Sequence, residues 1–166
     1  MPISFTVKSP SQCSSDEIDE FAKFVRDGGQ VASAGLQEII QRSQFLLFGH
    51  DHDGNLAAIG ALKNPRTEYR LKVFQQKARS SLSATDFPLE LGWAYVAAAY
   101  RGQGLGQKII HELIQAAAGS AIYATTGNPA MHHYLKYAGF TATGSPYHPE
   151  QGAADLTLYV YQPAHH

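Results

Sequence analysis

Residues 89–106 read LELGWAYVAAAYRGQGLG, and the organisation of the chain follows from this stretch. Its first half alternates. Leu89, Leu91, Trp93 and Tyr95 fall on one side of an extended chain, and Glu90, Gly92, Ala94 and Val96 on the other. The first set is large and apolar, as a strand face buried in a core requires. The second set is mostly small, carries one carboxylate, and leaves room above a sheet. The second half is Arg101-Gly102-Gln103-Gly104-Leu105-Gly106. An amphipathic run follows at once, with Leu105, Ile109, Leu113 and Ala117 four residues apart and Ile110 and Ile114 beside them. Strand, glycine loop and helix therefore come in order. Such a loop brings backbone close to a ligand, and the N–H groups that open the helix, with its dipole, favour an anion.

Two familiar anion-binding motifs fail on spacing. A nucleotide-triphosphatase loop needs Gly-Lys-Ser/Thr, but Gly106 is followed by Gln107-Lys108-Ile109. A dinucleotide fingerprint needs a third glycine three residues after the second. Counted from Gly102 and Gly104 that position is Gln107, and from Gly104 and Gly106 it is Ile109.

Outward from this stretch, the pattern predicts a strand through Ile3, Phe5 and Val7. A helix follows, capped by Ser14 or Ser15, with Ile18, Phe21, Ala22 and Val25 inward and Gly28-Gly29 at its end. A second helix is expected over 35–43. A hairpin is expected from strands 45–49 and 55–62 around Asp51-His52-Asp53-Gly54, whose His and Asp residues read as a polar turn rather than a metal cluster. The long connection 63–87 is expected to hold a helix over 67–79. A strand over 121–125, a helix over 128–138, a strand starting at 140–143 and a last strand over 156–161 complete a mixed sheet with helices on its faces.

Arg101-x-x-Gly104-x-Gly106 matches the (Gln/Arg)-x-x-Gly-x-(Gly/Ala) signature of the GNAT superfamily, the acetyl-CoA-dependent N-acetyltransferases. Asn128-Pro129-Ala130 and the later Ala138-Gly139-Phe140 resemble that family's second block, and the order of elements agrees along the whole chain. The resemblance implies one GNAT-like α/β domain over 1–166. Its sheet is mixed, mostly antiparallel, six- to seven-stranded, with helices on both faces. The fourth and fifth strands splay in a V that takes the pantetheine arm of acetyl-CoA. It implies that backbone groups of Ala94, Tyr95 and Val96 hold the thioester end. Those of Arg101, Gly102, Gln103, Gly104, Leu105 and Gly106 would hold the pyrophosphate, and Asn128 contacts the cofactor as well as capping its helix. Glu90 matches the place of a general base, which the chemistry needs because an alkylammonium has a pKa of about 10; an edge-of-strand surface acid paired with a base of the connection is the alternative. The family's tyrosine acid, five residues before the Phe of Gly-Phe, is replaced by Leu135. Tyr134 is the neighbouring candidate, although Met131, Tyr134, Leu135 and Ala138 also form a core-like helical stripe. His132 and His133, adjacent on a helix, read as a solvated face.

Six of the 13 Lys and Arg residues lie between Lys63 and Arg79. The connection borders the acceptor cleft in the family, so Arg66 and Arg70 are expected to read an anionic group on a small-molecule amine acceptor. A solvated helix face is the alternative. Net charge of −1 argues against nucleic acid. The single cysteine, Cys13, forms no internal disulfide, and the absence of a long apolar run argues against a membrane. The expectation is a cytoplasmic N-acetyltransferase, monomer or homodimer, using acetyl-CoA as cosubstrate and no metal. A catalytically silent acyl-CoA-binding or regulatory module and a protein or peptide N-acetyltransferase are the competing readings.

Overall fold

The alternating N-terminus forms β1 (Ser4–Lys8), and the capped run after it forms α1 (Ser15–Asp27). Ser14, not Ser15, is the cap: its Oγ accepts from Glu17 N, while Glu17 Oε1 accepts from Ser14 N. The computed structural model describes residues 2–29, 35–149 and 154–163. The chain continues through α2 (Leu36–Gln41), β2 (Phe45–His50), β3 (Leu56–Lys63), α3 (Thr67–Leu71), β4 (Leu89–Val96), α4 (Leu105–Ala116), β5 (Ile122–Thr126), α5 (Pro129–Tyr137), β6 (Thr141–Tyr147) and β7 (Leu156–Tyr161).

The seven strands lie in the order β1-β2-β3-β4-β5-β7-β6. Every neighbouring pair is antiparallel except β4 with β5, which is parallel. That pair holds register only at Leu89–Ile122 and Glu90–Tyr123. Beyond Glu90 the strands part, and the expected V opens there.

Three apolar clusters fill the two faces. On one, Ile109, Ile110 and Leu113 of α4 and Leu135 of α5 pack on Leu47, Leu62, Leu91 and Tyr159. On the other, α1 and α2 bring Phe21, Val25 and Ile40 against Leu46, Phe48, Ile59 and Trp93. Beside them on that face, Phe74 and Phe87 of the connection cover Tyr123, Leu158 and Val160. Complete burial of an apolar side chain of this size stabilises by roughly 1.5–3 kcal/mol, so these layers fix the sheet that carries the site.

Strict alternation puts Leu89, Leu91, Trp93 and Tyr95 on one face. The structure divides them: Leu89 and Leu91 face α4, whereas Trp93 and Tyr95 pack with α1. The cause is a β-bulge. Ala61 pairs with Gly92 and Ile59 with Tyr95, so the single residue Gly60 stands opposite both Trp93 and Ala94. Trp93 takes φ +53°, a backbone region that non-glycine residues rarely occupy.

The connection also departs from expectation. α3 is followed by a π-helical segment over Lys72–Lys77, and Ala78 N donates to Val73 O. The connection is tied to β6 by Ser145 N donating to Ala78 O at 2.7 Å and by a 2.7 Å contact between the Ser80 and Thr143 hydroxyls. β6 runs on to Tyr147, with a register shift between Thr143 and Tyr147.

Candidate functional site

The parting of β4 from β5 opens a cleft of about 650 Å³. Its walls run from the glycine loop, past Ala94, Tyr95 and Val96, to Glu90. At the loop end, a short 3₁₀ turn (Ala98–Tyr100) precedes Arg101. Gly102 and Gly104 take φ +82° and +72°, and nothing lies within 4 Å of where a Cβ would stand on either. Arg101 N is turned toward Ala98 O at 3.4 Å, and the next backbone bond is Lys108 N to Gly104 O at 3.3 Å. The N–H groups of 102–107 precede that bond and have no acceptor within the helix. Such a row of free N–H groups at a helix start forms a cradle that can receive an anion. Arg101's own side chain donates to Val96 O at 3.0 Å and lies 5.7 Å from the centre of the Tyr95 ring. Leu105 is buried, and Gln103 is exposed and stands outside the cleft walls.

Gly106 also makes room for a neighbour. A Cβ there would sit 2.7 Å from Tyr134 Cε2, so the missing side chain lets Tyr134 lie against the start of α4. Tyr134 and Asn128 both line the cleft. Asn128 Oδ1 accepts from Ala130 N at 2.9 Å and Met131 N at 3.3 Å, which caps α5. Leu135, at the family's tyrosine position, is fully buried. His132 is half-buried and its Nδ1 lies 2.7 Å from Tyr159 Oη, which corrects the solvated-face reading for that residue; His133 is exposed.

The loop before the cradle is braced from the β2–β3 hairpin. Asp51 accepts from Tyr100 Oη at 2.6 Å and from the backbone N–H groups of Asp53 and Asn55. These bonds, led by Tyr100, hold its carboxyl down at about 2.

At the far end Glu90 is 5% exposed, and its Oε1 accepts no hydrogen bond among the described residues. Lys63 Nζ stands 3.6 Å from that oxygen and 4.4 Å above the Trp93 ring. The hydroxyl of Tyr123, its register partner, is also buried and unpartnered among those residues. The Glu90 charge pushes the Tyr69 hydroxyl upward, helped by burial; burial, then Glu90, raises Tyr123; burial chiefly raises Tyr147. All three hydroxyls stay neutral in the field of one carboxylate. Spacing alone did not single out Lys63 or Tyr69 as members of this group. For Lys63 the signal is the β3–β4 register, which pairs it with Glu90.

The two arginines separate. Arg66 lies at a second pocket beside Glu90. Arg70 Nη1 donates to Ala84 O at 2.9 Å and Phe87 O at 3.5 Å, inside the connection. Among the described residues no group of three or more His, Cys, Asp or Glu could hold a metal, and no helix is long and apolar enough to cross a membrane.

Residues 15–140 match the family model described as Acetyltransferase (GNAT) family. No curated protein is matched by the sequence. Solved structures are similar over almost the full chain. An acyl-CoA N-acyltransferase from Pseudomonas aeruginosa is 17% identical with a TM-score of 0.69, covering 96% of this chain and 99% of its own. Escherichia coli ElaA is 11% identical at 0.73, covering 97% and 100%. Arabidopsis thaliana NAA60, in complex with acetyl-CoA, is 15% identical at 0.65, covering 97% and 98%. At these identities the likeness speaks for the fold.

Proposed function

This chain belongs to the GNAT acetyltransferase family, and we propose that it transfers the acetyl group of acetyl-CoA to a primary amine by direct attack. The observation that carries this is the continuity of one cleft from an anion cradle to a buried carboxylate. The N–H groups of 102–106 take the pyrophosphate, and the edge of β4 at Ala94, Tyr95 and Val96 takes the pantetheine and thioester. Asn128 borders the same wall.

Glu90 receives the proton of the incoming ammonium, directly or through a water. The neutral amine then attacks the thioester carbon. A C–N bond forms, the C–S bond breaks, coenzyme A leaves as thiolate, and the proton that the nitrogen loses on becoming an amide passes to solvent. Tyr134, which lines the same cleft, protonates the thiolate. A thiol of pKa about 8.5 is a good leaving group, so this acid matters less than the base.

Thiol release from acetyl-CoA across a panel of small amines, run beside Glu90→Gln, tests the reading. Turnover that falls by about 10²–10⁴-fold in the variant, with acetyl-CoA still bound, is expected. Bound acetyl-CoA with no turnover on any amine would favour a silent module.

A further inference from the structure

A second pocket of about 300 Å³ adjoins the cleft on the α2 side, and Lys63, Tyr69 and Glu90 belong to both. Ile39, Pro65 and Tyr69 give it apolar walls, and Arg42 and Arg66 stand around it. Both arginines are exposed, and neither guanidinium has a partner among the described residues. Lys63 pairs with Glu90 in register, and Arg66 is three residues further on. Its Cα therefore lies within about 11 Å of that of Lys63. The pocket thus brings together a buried carboxylate with the Lys63 ammonium beside it, two exposed guanidiniums with no partner among the described residues, and hydrocarbon walls.

We propose that this pocket seats the acceptor and selects a small amine whose apolar body ends in a carboxylate or similar anion. Glu90, the base of the proposed reaction, receives the ammonium, and the guanidinium forks bind the anion bidentately. The apolar walls take the body between them. Arg70 has no part in this, because its guanidinium is already bonded to carbonyls of the connection. The inference rests on the transferase reading and narrows its substrate class.

The test compares para-(aminomethyl)benzoate with benzylamine, which share one body and differ in the carboxylate. Wild type is expected to favour the carboxylated amine by about tenfold in kcat/KM, and the double variant Arg42→Gln, Arg66→Gln to bring that ratio near one. A ratio near one in wild type, or a ratio kept in the double variant, overturns the proposal while leaving the transferase reading intact. Calorimetric binding of para-toluate, which has no amine, separates the two claims. If no amine is acetylated, binding lost in the double variant still supports the anion site. Equal binding to both proteins removes it.

Discussion

The Lys63 ammonium stands 3.6 Å from Glu90 Oε1, at a place where the carboxylate is 5% exposed. Without that ammonium the buried carboxylate has no counter-charge beside it. Lys63→Gln is therefore expected to lower kcat/KM on the order of tenfold. Lys63→Arg, which keeps the charge, should retain most of the activity. The check is kcat/KM of the three proteins on one amine; an equal loss in both variants would mean that Lys63 acts only by packing on Trp93.

Gly106 and Tyr134 form a second pair in which one residue makes room for the other. Gly106→Ala pushes a methyl into the ring. The displacement is expected to cost about 1–3 kcal/mol in urea-measured stability, as overpacking does. It also moves the hydroxyl. If that hydroxyl protonates the departing thiolate, Tyr134→Phe lowers kcat about tenfold, near the lower end for acid catalysis. Acetyl-CoA affinity should hold in Tyr134→Phe. An unchanged kcat in that variant would leave Tyr134 as a wall of the cleft and nothing more.

Much of this was visible in residues 89–106, because strand, loop and helix are local features. The glycine loop, the amphipathic α4 and the carboxylate of Glu90 all stand where periodicity and spacing place them. What alternation missed is the bulge, which arises from pairing: Gly60 lies over thirty positions away, and only its place opposite Trp93 and Ala94 flips the face. Trp93 in a left-handed backbone region runs against propensity, so no local rule points to it. The same holds for His132, whose partner Tyr159 is 27 residues away on β7. The length of the connection pointed to a helix there, but its second half is π-helical, with Val73 and Phe74 packed onto the sheet.

The bond from Tyr100 Oη to Asp51 at 2.6 Å couples the hairpin turn to the loop that starts the cradle. Asp51 is held at about 2, below the ordinary carboxylate value, so the folded state favours its charged form. This contribution to stability is complete above the unfolded pKa of about 4. It fades as pH falls from there to about 2. Tyr100→Phe removes the leading cause of the shift. The variant is expected to melt lower than wild type at pH 7, and the gap in Tm should shrink as pH falls below 4. Melting curves at pH 2.5, 4 and 7 decide it. A gap that is the same at all three would place the effect in packing of the ring.

Arg70 and Arg66 are four residues apart in a basic run, yet their surroundings assign them opposite work. Arg70 Nη1 holds the carbonyls of Ala84 and Phe87, which closes the connection over Phe74 and Tyr123. Removing a charged donor from such bonds costs about 1.5–3 kcal/mol. Arg70→Met should therefore lower stability by that amount and reduce turnover of charged and neutral amines alike, since Tyr69 rides on the same segment. Arg66→Gln, at an exposed position, should change stability by no more than about 0.5 kcal/mol. Its loss should fall on the carboxylated amine. Urea denaturation paired with kcat/KM for both amines separates the two. A charge-selective loss in Arg70→Met without a stability change would move Arg70 from the clasp to the acceptor pocket, and the connection would then need another closure.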